Sequence, residues 1–190
     1  MKKAESLELL EIYTSKGKKT GKKESKSEIH KKGLFHATVH VWIFTEKGKI
    51  LIQKRSIKKE LNPGIWDVSV AGHIEFDENI KKAAKRETFE ETGINIKSED
   101  LLKIGVYKSV SVHPTLIDKE FFHTYILQID ENFIDLDYKN NEVDDLKFIS
   151  IEEMEYLISK ENNKIFIGKN RKYYRDVLKK IKSINSENYQ

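Results

Sequence analysis

Hydrophobic and polar positions change rhythm several times along the chain, and each rhythm predicts an element. Ser6–Tyr13 (SLELLEIY) is apolar enough for a strand, and the Lys-, Gly- and Ser-rich stretch Ser15–Lys32 after it reads as a hairpin or exposed loop. Phe35–Phe44 (FHATVHVWIF) is rich in β-branched and aromatic residues; Glu46-Lys47-Gly48 turns the chain, and Ile50–Lys54 returns, which predicts a β-hairpin. Leu61-Asn62-Pro63-Gly64 forms a turn before a short strand at Ile65–Val70.

Asp77 is placed to cap a helix that runs to about Thr92, with Gly93 as its stop. Leu101–Val112 and Glu120–Ile129 alternate as strands do, and Leu146–Ile149 is a short strand. Ser150–Ser159 opens with Ser and Glu three residues apart, the pattern of a capping box. Arg171–Ile184 carries Tyr174, Val177, Leu178 and Ile181 on one side, which predicts a helix packed on the body of the protein. Without an internal repeat or linker, the pattern implies an α+β fold in which helices flank a mixed sheet.

The helix ending at Thr92 raises a chemical question. At about 100° per residue, Ile80, Ala83 and Ala84 mark its inward stripe. Glu87 and Glu91 fall within about 20° of Ile80, and Glu90 about 80° to one side. A surface ion-pair lattice of Arg86 with Glu90, helped by Lys82 and Lys85, contributes only about 0.3–0.5 kcal/mol and gives no reason to use the buried stripe. Grouped inward carboxylates need a neutralising cation, and oxygen ligands at this spacing suit Mg²⁺ or Mn²⁺. Gly72 opens the loop into the helix, where backbone can approach a ligand and a carbonyl can complete the coordination.

Composition narrows the alternatives. The 190 residues suffice for one domain, 1–190, with a core over about 6–159 and the C-terminal helix at about 171–184. Charged residues form 35% and hydrophobic ones 38%, with net charge +4, which describes a solvated mixed-charge surface better than a nucleic-acid-binding face. The absence of cysteine excludes disulfides, thiolate metal sites and a Cys nucleophile. No apolar run reaches membrane-spanning length and Met1-Lys2-Lys3 leads into no signal region, so the expected setting is cytoplasmic and membrane-free. Oligomeric state stays open between monomer and homodimer.

The pattern Gly72-x5-Glu78-x7-Arg86-Glu87-Thr88-x-Glu90-Glu91-x-Gly93-Ile94 resembles the Nudix box, with every polar and glycine position filled. Thr88 stands where that pattern carries a bulky aliphatic residue. The resemblance implies a mixed sheet sandwiched between helices, over roughly Ser6 to Ser159, and a metal-dependent enzyme. It would cleave a small-molecule substrate: a nucleoside diphosphate linked to a group X, or another organic diphosphate. By motif position, Glu87, Glu90 and Glu91 bind the metal with the carbonyl of Ala71 or Gly72, Arg86 orients a glutamate, and Glu78 supports the loop. Glu87, Glu90 and Arg86 are thereby catalytic candidates, and Glu120 and Glu142 are candidates for the base that activates water.

The flanks HATVHVWIFTEKGKILIQKRS and PGIWDVSVAGH resemble the subgroup related to isopentenyl-diphosphate isomerase. That enzyme's catalytic Cys-Gly-His reads Ala71-Gly72-His73 here, so the acid/base group its chemistry needs is missing. His36, His73, Asp118 and Glu120 match its other metal-ligand positions and imply a second metal site, against a bland reading of histidines hydrogen-bonded in a polar pocket. Lys54 and Arg55 are placed to meet phosphate oxygens, Trp66 to stack on a ring, and Trp42 to line core or pocket. The alternatives to a hydrolase are thus isomerase-like chemistry and a non-catalytic module that binds nucleotide or nucleic acid.

Overall fold

A computed structural model of the chain describes residues 8–159, 165–167 and 171–187. In chain order these contain β1 (Leu9–Tyr13), β2 (Lys19–Ser25), α1 (Lys26–Lys32), β3 (Phe35–Phe44), β4 (Ile50–Arg55), β5 (Trp66–Asp67), β6 (Val70–His73) and α2 (Ile80–Thr92). They continue with β7 (Leu102–Val112), β8 (Ile117–Gln128), β9 (Val143–Ile149), α3 (Ile151–Ser159) and α4 (Arg171–Glu187). Ser6 and Leu7, expected to begin the first strand, lie outside the described residues.

The axis of the sheet is β3. It runs parallel to β8 from Phe35↔Lys119 to Phe44↔Gln128, and β8 pairs antiparallel with β7. On its other edge β3 pairs with β6 over Thr38–Val41 and meets β4 only at Phe44↔Ile50. The expected hairpin therefore closes only at its turn, and β4 finds its long partner in β9.

Strand alternation sends successive side chains of β3 to opposite faces. Ala37, Val39, Val41 and Ile43 pack with Ala83 and Ala84 of α2, together with Phe121, Tyr125 and Leu127 of β8. Trp42 and Phe44 pack on the other face with Met154 of α3 and with Tyr173, Tyr174, Val177, Leu178 and Ile181 of α4. The fold is α+β, with a mixed sheet between α2 on one side and α3 and α4 on the other. On the second face the strand begins polar, with His36, Thr38 and His40, and turns apolar only at Trp42. The α3/α4 layer covers the apolar half and leaves the polar half to line a cleft.

Three expectations are corrected. The stretch expected to be a hairpin or exposed loop, Ser15–Lys32, contains β2, which does complete a hairpin with β1, and then α1, which was not expected. The chain carries the Ser25-x-x-Glu28 spacing of a capping box, and half of it forms: Ser25 Oγ accepts from the backbone N of Glu28 at 3.3 Å, while Ser25 N donates to Glu24. Helix α2 is capped by Asn79, which accepts from Lys81 N and Lys82 N; Asp77 instead occupies a left-handed turn with φ 63°. The strand expected at Ile65–Val70 divides: β5 pairs with β4, the chain crosses at Val68-Ser69, and β6 pairs with β3. Ser69 holds the crossing, its hydroxyl donating to Leu51 O at 2.6 Å and accepting from Ile43 N at 2.8 Å. The capping box at Ser150 is present in both directions, through Ser150 N to Glu153 Oε2 and Glu153 N to Ser150 Oγ.

The α4 face stabilises the fold by burial, so Leu178→Ala should cost about 2–5 kcal/mol in urea unfolding. Lys182→Ala, which removes an exposed ion pair to Glu155, should cost less than about 1 kcal/mol. Equal losses in the two variants would contradict this division.

Candidate functional site

The division of β5 from β6 opens the sheet beside β3, and the glutamates of α2 meet the opening. Glu87 and Glu91 are buried while Glu90 is largely exposed, as the helical wheel requires. Glu91 Oε2 accepts from Gln53 Nε2 at 2.6 Å and from Ala71 N at 2.8 Å, one donor from each side of the gap. Its Oε1 is buried with no hydrogen-bond partner.

Arg86 is the organiser. Its Nε and Nη2 grip Glu78 at 3.0 and 2.8 Å, and Nη2 also donates to His73 O at 2.9 Å. Its Nη1 holds Glu87 Oε1 at 2.7 Å and Glu90 Oε2 at 2.9 Å. One planar cation thus fixes two of the three glutamates and anchors them to the loop. Gly72 gives the Glu87 carboxylate its space, since a Cβ there would lie 2.0 Å from the carboxyl carbon. Thr88, in the position of the usual aliphatic, is buried and returns its hydroxyl to Ala84 O at 2.7 Å.

Burial, and then the Glu91 charge, push Glu87 up to about 8; burial pushes Glu91 up to about 7. Two buried carboxylates with an unpartnered oxygen form an acceptor set that lacks positive charge. These residues fit a divalent cation: hard oxygens, one of them orphaned, around a cradle that a side chain at position 72 would fill.

The same cleft, of about 1170 Å³, holds a second cluster. His30, His36 and His73 place ligand atoms within 4.8 Å of one another, as do His36, Asp118 and Glu120. His36 Nε2 lies 3.8 Å from Asp118 Oδ1 and 4.0 Å from Glu120 Oε1. Both bonded rings are oriented from behind. His36 Nδ1 sits 3.3 Å from Leu34 O and His73 Nδ1 3.1 Å from Glu8 Oε1, acceptors that require N–H at Nδ1 and leave Nε2 with its lone pair free for a ligand. Burial lowers the pKa of His30, His36 and His73, which keeps those lone pairs available at neutral pH. Both ring nitrogens of His30, His36 Nε2 and Asp118 Oδ1 are buried without hydrogen bonds. Burial, and then Asp118, raise Glu120. This arrangement also suits a cation, now with imidazole and carboxylate ligands.

Among the other expected residues, Arg55 lines the cleft, with Nη1 3.5 Å from Asp67 and Nε donating to Leu61 O. Lys54 and Trp66 pair across β4 and β5 outside the cleft wall, where Lys147 covers the Trp66 ring at 4.4 Å. Glu142 stands on the cleft rim, ion-paired with Lys59. Burial draws its pKa upward, but Lys59 outweighs that and holds the carboxyl below its usual range. Trp42 is fully buried core. Sequence reasoning missed His30, on the unrecognised α1, although the Ser25–Glu28 capping box was the available signal. It also missed Lys59, His40 and Tyr173, which line the cleft from separate parts of the chain.

The family model of the NUDIX domain matches residues 34–169. The chain is 34% identical over 162 residues to an uncharacterized Nudix hydrolase of Clostridium acetobutylicum, a match covering 84% of this chain and 78% of that one. It is also similar to isopentenyl-diphosphate Delta-isomerase 2 of Photorhabdus laumondii, at 33% identity over 136 residues, 70% of this chain and 73% of that one. The crystal structure of DR0079 from Deinococcus radiodurans superposes with a TM-score of 0.65 at 18% identity, covering 93% of this chain and 98% of that one, a likeness of fold.

Two measurements check the geometry. Gly72→Ala should displace Glu87 and weaken Mn²⁺ binding by about tenfold or more, read by electron paramagnetic resonance, with circular dichroism unchanged. The second concerns chelator-treated protein. Between the ordinary carboxylate range and the raised values at Glu87 and Glu91, the folded chain keeps protons that the unfolded chain has lost. The buried histidines, with lowered pKa values, act in the opposite direction over part of this range, so the contribution is read as a difference. The metal-free Tm of the wild type minus that of Glu87→Gln/Glu91→Gln should fall as pH rises from about 5 to 8, and Mg²⁺ should restore more of the wild-type Tm at pH 8 than at pH 5. A difference that climbs through this window would contradict the assignment.

Proposed function

The chain belongs to the Nudix family, and on that premise we propose that it is a divalent-metal-dependent hydrolase, cytoplasmic in setting, acting on a small organic diphosphate. The bond cleaved is a diphosphate linkage in a nucleoside diphosphate joined to a group X, or in another organic diphosphate. One observation carries the reading: the buried Glu87–Glu91 pair, with Glu91 Oε1 unpartnered, gathered around a glycine that leaves them room.

Glu87, Glu90 and Glu91, with a backbone carbonyl at Ala71 or Gly72, would hold Mg²⁺ or Mn²⁺. Such a cation, when bound, neutralises phosphate oxygens and makes water a better nucleophile. The chain's own residues do the rest. Arg86 fixes the directions of Glu87 and Glu90, while Gln53 and the Ala71 N–H hold Glu91 by Oε2 and leave Oε1 without a partner. Arg55 and Lys59 line the cleft and supply positive charge for a diphosphate. Glu142 is favoured over Glu120 as the proton acceptor for the attacking water. It stands on the rim in ionised form, whereas Glu120 faces the histidines. That second group, His30, His36, His73, Asp118 and Glu120, would hold another cation in the same cleft.

Similarity to an isomerase favours a second reading, double-bond migration in an allylic diphosphate. Ala71 weighs against it, since a methyl group neither gives nor takes a proton, and the chain has no cysteine elsewhere.

The test is a phosphorus NMR and mass-spectrometric screen of nucleotide and non-nucleotide diphosphates with Mg²⁺, with Glu91→Gln as control. Metal-dependent cleavage that falls by about 10²-fold or more in the variant is the expected result. Deuterium uptake from solvent into isopentenyl diphosphate, without cleavage, would replace this reading with the isomerase one. Metal-independent binding of nucleic acid with steep salt dependence, and no turnover, would point to a binding module.

A further inference from the structure

At the inner end of the cleft, beyond the histidine cluster, three buried side chains form a chain of hydrogen bonds. Trp42 Nε1 donates to Tyr173 Oη at 2.7 Å, and Tyr173 Oη lies 2.7 Å from His40 Nδ1. Indole N–H can only donate, so the phenol oxygen accepts from Trp42. With the oxygen accepting from Trp42, its own proton completes the 2.7 Å contact to Nδ1, which leaves the imidazole proton on Nε2.

The hydrogen bond of the His40 ring is made at Nδ1, and His40 lines the cleft. The ring cannot turn away. Phe122 stacks on it at 4.2 Å with planes 16° apart, and Tyr173 meets it edge-on at 5.5 Å. Burial, and then Arg55, hold the imidazole neutral, with a pKa lowered to about 3. In register, His40 stands opposite Ala71, whose N–H holds Glu91. The backbone of His40 therefore lies about one strand spacing, roughly 5 Å, from that of Ala71, and the cleft that His40 lines is also lined by Gly72 and Glu87.

We propose that His40 is a specificity-determining residue, whose fixed Nε2–H donates to a hydrogen-bond acceptor on the group X, a ring nitrogen or carbonyl oxygen. This rests on the preceding reading, that the carboxylate set binds a diphosphate, and goes further by naming the chemistry of X. An all-hydrocarbon X would leave the N–H buried without a partner, and a site built to hydrogen-bond a group discriminates strongly against analogues that lack it. Phe122 and Tyr173, which fix the donor, also present aromatic surface on which a flat X can lie.

The probes are non-cleavable and matched in shape: methylenebisphosphonate, its benzyl ester, and its 2-, 3- and 4-pyridylmethyl esters. Each is titrated by calorimetry into the full chain with Mg²⁺ at pH 8, where the pyridines are neutral. At least one pyridyl isomer should bind about tenfold or more tightly than the benzyl ester. The advantage should vanish in His40→Phe. Because that variant can perturb packing, ¹⁵N NMR of the wild-type imidazole gives a second reading, and should find the proton on Nε2; Tyr173→Phe should release that preference. Equal affinity of the benzyl and all pyridyl esters, or a proton on Nδ1, overturns the proposal. Failure of methylenebisphosphonate itself to bind with Mg²⁺ overturns the diphosphate reading first, and the inference with it.

Discussion

Two like charges are buried together, and the architecture around α2 exists to hold them. Glu87 and Glu91 sit one turn apart on the inward stripe, where burial and mutual repulsion both oppose ionisation. Arg86 cannot neutralise the pair alone, because its guanidinium is shared among Glu78, Glu87, Glu90 and the His73 carbonyl. Glu91 relies instead on neutral donors from Gln53 and Ala71. The residual deficit of positive charge is what suits the site to the cation proposed for it. A fully compensated ion-pair network would have nothing left to bind.

That deficit is tolerable only because the sheet is open where the carboxylates reach it. The Ala71 N–H is a backbone donor that Glu91 takes at the edge of this opening, beside the side-chain amide of Gln53. The crossing at Val68-Ser69 divides the strand between β4 and β3, and the Ser69 hydroxyl bonds to both sides. A short polar side chain thus does the work of two backbone bonds while leaving the gap.

A second organising fact is the change of polarity along one face of β3 and β8. His36, Thr38 and His40, beside Asp118 and Glu120, give way to Trp42 and Phe44, beside Phe122 and Ile126. The parallel pairing aligns the two polar ends and the two apolar ends. Helix α4 covers the apolar half, and its Tyr173 reaches back to bond His40 at the boundary. One strand pair therefore supplies core packing and a site with two kinds of ligand, hard carboxylates near Gly72 and imidazoles near His36.

Much of this was legible in the chain. The inward glutamates, Gly72 and the amphipathic α4 follow from helical period and residue chemistry, which are local properties. The Nudix-type spacing, and with it the role of Arg86, was legible because its residues lie on one loop and one helix. His36, Asp118 and Glu120 were legible through the resemblance to the isomerase subgroup. Tertiary structure decided what depends on pairing. It brought His30 in from α1, displaced Trp66 and Lys54 from the cleft, set Lys59 on Glu142, and joined Trp42, Tyr173 and His40 from distant parts of the sequence. Period fixes which face a side chain occupies, but the partner strand and its register fix what that face meets. Those are set by the burial of the whole sheet, which no single segment encodes.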